Sequence, residues 1–201
     1  MLVIGLTGNL GTGKTEVAQA LGRLGAVVIN ADDLGHELLQ PNTQTYMKII
    51  DTFGKSVVGH NGEIDRKKLS RIVFADAEAL NKLNRIMHPR IYNMVNHKID
   101  GYRQSGAGVV VLEAALLIEA GWKPILDQLW VTRAPESTIT KRLKQSRGLG
   151  EEQVIARLKT QMPQKEKIKQ ADVVIDTDVP IGELRAKVTE LWKSLPPDKK
   201  P

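Results

Sequence analysis

The sequence predicts an α/β fold of three layers, α/β/α, built on a five-stranded parallel sheet, with a helical lobe and a helical lid added to it. Three observations lead there. Short, unbroken apolar runs alternate with stretches of helical spacing, the pattern of a parallel sheet covered on both faces. A glycine-rich loop joins the first run directly to the first helical stretch. The chain has 201 residues, 41% of them hydrophobic and none of them cysteine, so one packed core is within reach and thiolate metal sites and disulfides are excluded.

The elements follow in order. Leu2-Val3-Ile4-Gly5-Leu6 is a short buried strand, and Thr15 to Leu24 is a helix carrying Val17, Leu21 and Leu24 on one face. A second strand, Gly25 to Ile29, ends at Asn30-Ala31-Asp32-Asp33, before a helix over 34–39. From there to about Gln104 the chain is strand-poor. Thr43 to Phe53 has helical spacing (Tyr46, Ile49, Ile50, Phe53), and Gly54 to Asp65 is a loop. Arg66 to Phe74 and Ala77 to Met87 are helices, and Pro89 fits the first turn of another. Gly108 to Glu113 and Gln128 to Thr132 are the third and fourth strands, with a helix from Pro135 to about Gln145. Val173 to Asp176 is a fifth strand and Ile181 to Leu195 a closing helix, and Trp130 and Trp192 fall in apolar patterns that belong to the core. The tail from Pro196 to Pro201 has nothing to bury and is expected to fray.

The loop Gly8-Asn9-Leu10-Gly11-Thr12-Gly13-Lys14-Thr15 fits G-x-x-x-x-G-K-[ST], between a strand and a helix as that phosphate-binding motif requires. This predicts a P-loop NTPase core. Gly8, Gly11, Thr12 and Gly13 let the backbone turn several N–H groups onto one phosphate, and the helix N-terminus adds partial positive charge. Lys14 is expected to reach the β- and γ-phosphates and the Thr15 hydroxyl to hold Mg²⁺, so ATP is the expected ligand.

Ligands of such sheets gather beyond the carboxyl ends of the strands. Asp32 lies just past the second strand, where it can take the proton of an acceptor hydroxyl or orient it across the P-loop. The same position suits the N-cap of the following helix, for Asp32 or Asp33. Glu113 ends the third strand and is a candidate to hold Mg²⁺ through a water, or simply to cap the next turn. Residues 137–162 carry Lys141, Arg142, Lys144, Arg147, Arg157 and Lys159 around Gly148 and Gly150, as a lid over a triphosphate would. Arg142 and Arg147 border the glycines and are the first candidates; the others suit a solvated helix face. His60 and His97 read as surface residues, and no histidine pair has metal-ligand spacing.

The net charge of +6 comes from scattered basic residues, with only two Phe, three Tyr and three Trp for base stacking. A basic groove for a polyanionic small substrate accounts for it, and no nucleic acid is expected. No apolar stretch approaches the ~20 residues of a membrane span. With no signal-peptide pattern before the loop, a cytoplasmic location is expected.

Together these motifs resemble the dephospho-coenzyme A kinase family over nearly the whole chain. The resemblance runs through Leu6-Thr7-Gly8 to Thr15, Ala31-Asp32, Phe53-Gly54, and Gly62-Glu63-Ile64-Asp65-Arg66 with Leu69. It continues through Val73-Phe74, His88-Pro89, Leu116-Leu117-Ile118-Glu119 and the region from Arg142 to Gln161. It implies transfer of the ATP γ-phosphate to the ribose 3′-hydroxyl of dephospho-coenzyme A. Asp32 then matches the catalytic carboxylate, Lys14 and Arg142 the phosphate-binding cations, and Arg66 and His88 candidate acceptor contacts. His88 also suits a packing role beside Pro89. Gln161 and Lys165 fall where the family closes over the adenine. The implied organisation is one kinase domain, with a core of about 1–35, 105–145 and 171–195, an acceptor-binding lobe of about 36–104 and a lid of about 146–170.

The sequence departs from the family pattern at Asn30, where aspartate is common, at Asn9-Leu10 for Gly-Ile and at Glu113-Ala114-Ala115 for Asp-x-Pro. Asp176-Thr177-Asp178 lacks the Asn-Gly often found after the last strand. The stretch from Glu113 to Trp122 is similar to the kinase domain of the bifunctional coenzyme A synthases of animals. The alternative is another P-loop kinase acting on a nucleotide or small metabolite. A GTPase would need Asn-Lys-x-Asp, approached only by Asn81-Lys82-Leu83-Asn84 inside a helical pattern.

Overall fold

In the computed structural model the chain forms two compact units, residues 1–30 with 98–201 and residues 31–97. The structure describes residues 1–147 and 151–199, with the backbone alone for 146, 147 and 151–153. In the larger unit, strands β1 (Leu2–Thr7), β2 (Val27–Asn30), β3 (Val109–Glu113), β4 (Gln128–Arg133) and β5 (Val173–Asp176) make one parallel sheet in the order β2-β3-β1-β4-β5. The connection from β1 to β2 passes over β3, and that from β3 to β4 passes over β1 in the other direction. Chain crossovers therefore diverge at the carboxyl ends of β1 and β3, where α/β sheets place their ligands. Register brings those ends level, with Leu6 opposite Glu113 and Asn30 opposite Glu113.

Helices α1 (Lys14–Arg23) and α9 (Ile181–Ser194) pack side by side on one face of this sheet. Val17 and Leu21 of α1 and Leu184, Val188 and Trp192 of α9 meet Ile4, Leu6, Val109, Val111, Trp130 and Ile175 in one apolar cluster. Both tryptophans expected in the core are there. On β1, Gly5 leaves room for Leu117 and Leu126, which lie against it from the segment after β3. Helices α6 (Glu136–Arg147) and α7 (Glu151–Lys159) share a smaller cluster of Ala134, Ile139, Leu143 and Val154, against which Leu10 packs. The short helix α8 (Gln164–Ile168) lies against β4. Of the tail expected to fray, the described part forms a 3-10 turn over Pro197–Lys199, closed by Lys199 N–H donating to the Pro196 carbonyl, and residues 200 and 201 lie outside the described residues.

The smaller unit contains α2 (Ala31–Leu38), α3 (Gln44–Phe53), α4 (Arg66–Ala75) and most of α5 (Ala77–Gln104). Its core includes Ile49, Val57, Ile64, Leu69, Val73, Met87 and Ile91. The loop between α3 and α4 is more ordered than its turn residues suggest. It holds a 3-10 turn over Lys55–Val57 and an antiparallel bridge between Val58 and Ile64.

Two expectations are corrected here. Asp32 and Asp33 are not N-caps, because α2 begins at Ala31 and both carboxylates lie inside its first turn, where the helix dipole favours them. Pro89 does not begin a helix but lies within the 28-residue α5. Its ring removes one backbone donor. The Arg90 guanidinium donates to the Ile86 carbonyl in the same turn (2.8 Å), and burial of Ile86, Met87, Ile91 and Val95 carries the apolar stripe through the proline.

Asp65 is the N-cap of α4, its Oδ1 accepting the backbone N–H of Lys67 (3.0 Å) and Lys68 (3.1 Å). The Lys68 N–H bond, helped by that of Lys67 and by the charges of Lys68 and Arg71, holds this carboxyl below the ordinary carboxylate range. A lowered carboxylate pKa stabilises the fold above the unfolded-state value and stops doing so as pH falls through the folded one. Asp65→Ala should therefore lower the melting temperature at neutral pH, and the deficit should shrink as the pH drops below the ordinary carboxylate range. Asp65→Ser should retain most of the stability. Thermal melts of the three proteins between pH 7 and pH 3 check both points.

Candidate active site

Gly8 turns the chain out of β1 with φ of 149°. A Cβ there would meet the Thr132 side-chain oxygen and sit 2.6 Å from the Thr132 backbone carbonyl oxygen, so β4 leaves space for glycine alone. At the other end of the loop Gly13 is left-handed (φ 80°) and caps α1 without a side-chain bond. Between these ends the carbonyl oxygens are tied down from inside the fold. Asn9 O accepts the Thr12 hydroxyl (2.7 Å) and the Thr12 N–H (3.2 Å), and Thr12 Oγ1 shares a 2.7 Å hydrogen bond with Thr132 Oγ1. Thr12 is fully buried and turned inward, so its hydroxyl supports the loop from within.

Lys14 is nearly buried, and its Nζ donates to the carbonyls of Gly8 (3.0 Å) and Asn9 (3.2 Å). These neutral partners are weaker than a phosphate oxygen would be. Thr15 is exposed at the start of α1 and donates its hydroxyl to Glu113 Oε1 at 2.8 Å. Glu113 is itself buried at the end of β3. Two residues singled out separately for the same cation are thus brought into contact. Their donor set, a hydroxyl and a carboxylate oxygen, is of the hard kind that Mg²⁺ takes. With its proton on Glu113, the Thr15 oxygen keeps its lone pairs for a cation. Among the described residues no group of three or more His, Cys, Asp or Glu side chains converges as a metal site, so any ion here would draw further ligands from phosphates and water.

Arg142 reaches back to the loop from α6. Its guanidinium donates to Thr177 O (2.7 Å), to Thr177 Oγ1 (3.1 Å) and, at 3.4 Å, to Gly11 O. Thr177 in turn donates its hydroxyl to Thr12 O at 2.8 Å. Gln161 Oε1 accepts the Leu10 N–H at 2.9 Å. Of the residues expected beside the nucleotide, Arg142 and Gln161 are therefore bonded to the P-loop backbone. Arg147 closes α6, but its side chain lies outside the described residues, as do Gly148 and Gly150. Lys141 and Lys144 are exposed on α6, and Lys165 is exposed on α8.

Asp32, Arg66 and His88 belong to the smaller unit, on α2, α4 and α5 respectively. Asp32 is exposed two residues beyond the end of β2, Arg66 is exposed as the first residue of α4, and His88 is half-buried in mid-helix. His60 and His97 are exposed.

Sequence reasoning passed over Thr177, Lys167 and the supporting role of Asn9. Lys167 sits in a strongly polar run, Gln164 to Gln170, that reads as surface, yet its side chain is fully buried and pairs with Glu119 at 2.9 Å. Burial pushes its pKa down while Glu119 opposes the shift. Glu119 was legible only as part of Leu-Leu-x-Glu, and nothing in the spacing links it to position 167.

Residues 2–183 match the family model described as dephospho-CoA kinase. A dephospho-CoA kinase of Carboxydothermus hydrogenoformans is 40% identical over 194 residues, covering 95% of this chain and 94% of that one. Among solved structures, a protein of Thermus thermophilus superposes with a TM-score of 0.80 at 32% identity, over 97% of this chain and 98% of that one. A dephospho-CoA kinase from Campylobacter jejuni gives 0.70 at 26%, over 96% of each chain.

The contact at Gly8 yields a test. Gly8→Ala should destabilise the fold by about 2 kcal/mol or more and abolish measurable ATP binding. Adding Thr132→Ala should not restore binding, because the nearest backbone atom in the way is the Thr132 carbonyl oxygen. Calorimetry with ATP and thermal melts of the single and double variants decide it.

Proposed function

The chain belongs to the dephospho-CoA kinase family, and from that premise we propose how its residues divide the work of moving the ATP γ-phosphate onto the ribose 3′-hydroxyl. The reaction is the ATP-dependent phosphorylation of dephospho-CoA, a step of coenzyme A biosynthesis. The observation that carries the assignment is the P-loop with Lys14 nearly buried against it and Thr15 bonded to Glu113.

On the donor side, the loop N–H groups and the N-terminus of α1 cradle the triphosphate, and Lys14 exchanges the Gly8 and Asn9 carbonyls for phosphate oxygens. Thr15 would hold Mg²⁺ directly, and Glu113 would hold it through a water while orienting the Thr15 hydroxyl. When bound, the ion neutralises charge on the β- and γ-phosphate oxygens. Arg142 contributes its positive charge beside the loop, and Arg147 is assigned to the same nucleotide side. Gln161 serves ATP through the Leu10 N–H that it holds.

On the acceptor side, residues 31–97 form the unit that binds dephospho-CoA, with Arg66 and His88 as its contacts. Asp32 is the catalytic carboxylate. The acceptor oxygen attacks the γ-phosphorus as the bond from phosphorus to the β–γ bridging oxygen breaks. Asp32 takes the hydroxyl proton, and ADP leaves with the bridging electrons, its charge met by Lys14 and the loop N–H groups. No helix among the described residues is long and apolar enough to cross a membrane, and a cytoplasmic location completes this reading.

Incubation with MgATP and, separately, dephospho-CoA, AMP, shikimate or gluconate should give ADP release stimulated by dephospho-CoA alone. No stimulation by dephospho-CoA would overturn the assignment. Asp32→Asn should lower kcat about a hundredfold or more and leave ATP affinity within a few-fold. Wild-type kcat in that variant would make Asp32 structural. Lys14→Ala should weaken both nucleotide binding and turnover.

A further inference from the structure

Asn9 and Leu10 occupy P-loop positions that the motif leaves open to any residue, yet both are held from outside the loop. Gln161 Oε1 takes the Leu10 N–H, and Asn9 Nδ2 donates to the Met162 carbonyl at 3.3 Å. The N–H of the same Met162 donates to Glu119 Oε1 at 2.9 Å. That oxygen also receives Lys167 Nζ at 2.9 Å, and Nζ donates on to Ala115 O at 2.7 Å. Ala115 O accepts the hydroxyl of Thr7, the last residue of β1 before the loop, at 3.3 Å. The bonds form a circuit that leaves the chain at Thr7, just before the P-loop, and returns to the loop at Asn9. It passes through Ala115, Lys167, Glu119 and Met162.

A fully buried ammonium beside a carboxylate is a poor way to stabilise a fold, since an apolar pair of similar volume often does as well. Its position in the circuit suggests another use. Met162 is gripped from both sides, N–H by Glu119 and carbonyl by Asn9, so the placement of one carboxylate fixes where the loop's second residue can sit. We propose that Glu119 is a positioning residue for ATP, acting through Met162 and Asn9 on the P-loop, with Lys167 holding the carboxylate in place. The proposal rests on the reading of the P-loop as the nucleotide site. It concerns the donor side only.

Removing one charge alone would leave the other buried and unpaired, which confuses stability with positioning. The informative variant is the double Glu119→Ala/Lys167→Met, which removes both charges and the acceptor for Met162 N–H. It should melt near the parent temperature, bind MgATP about tenfold more weakly by calorimetry, and bind dephospho-CoA as the parent does. Asn9→Ala breaks the circuit at its other end without touching Glu119 or Lys167. It should give the same selective loss, and combining it with the double variant should add little, because both act through one peptide. Unchanged ATP affinity in Asn9→Ala, or in a folded double variant, overturns the proposal. So does an equal loss of affinity for both substrates, which would mark a merely structural pair. Direct binding of MgATP reads this without turnover, whereas the acceptor assignment is read by ADP release, so the two can fail separately.

Discussion

The close approach of Gly8 to β4 is the constraint from which the rest of the site follows. A side chain at position 8 would collide with the carbonyl oxygen of Thr132, so the chain leaving β1 has one narrow route across the sheet's edge. That route depends on the strand order, because β4 is the neighbour of β1 on one side and β3 on the other. While β1's pairing with β4 brings Thr132 under Gly8, its pairing with β3 on the other side brings Glu113 level with Leu6, and Glu113 accepts the Thr15 hydroxyl. Sheet register, loop path and the hydroxyl–carboxylate pair are thus one geometric fact seen at three places.

A phosphate-binding loop has a physical difficulty built into it. Its glycines permit the left-handed turns that gather N–H groups on one side, but glycine also loses the most conformational freedom on folding. The structure answers with hydrogen bonds to the loop's other side. Asn9 O is held by Thr12 and Lys14, Thr12 O by Thr177, and Gly11 O by Arg142. Carbonyls whose lone pairs are met by these donors present less negative charge to an anion beside the loop. Three threonines from three places in the chain do much of this, because a short hydroxyl side chain donates and accepts within a packed interior.

These supports explain which parts were legible in the sequence. The loop, the strand before it and the helix after it are contiguous, and a glycine spacing with a Lys-Thr ending carries its geometry with it. The strands were legible because parallel strands buried on both faces are unbroken apolar runs, as at Val109 to Leu112. Pro89 misled because its local rule, helix start, was overridden by an apolar stripe continuing through it at four-residue spacing. Asp32 and Asp33 looked like caps because capping depends on where the first helical residue falls, and a one-turn uncertainty at a helix end hides that. Thr177 and Lys167 left no trace at all. A threonine after a strand and a lysine in a polar run have ordinary surface readings, and only the tertiary contacts, 165 and 48 residues away in sequence, give them another.

The buried polar groups also separate what holds the fold from what holds the site. The apolar cluster of α1, α9 and the sheet is built from aliphatic side chains and two tryptophans. Lys14, Glu113 and Lys167, by contrast, are charged side chains taken out of water, which costs free energy unless each is closely partnered. All of them lie near the carboxyl ends of β1 and β3 or in the segments that brace the loop there, at the divergence of the crossovers. Folding alone gives no reason for that concentration, since the apolar alternative was available at each position. Binding a polyanion does. On the proposed reading Lys14 would meet its charge directly, Glu113 through the hydroxyl that it orients, and Lys167 at one remove through the carboxylate that it anchors.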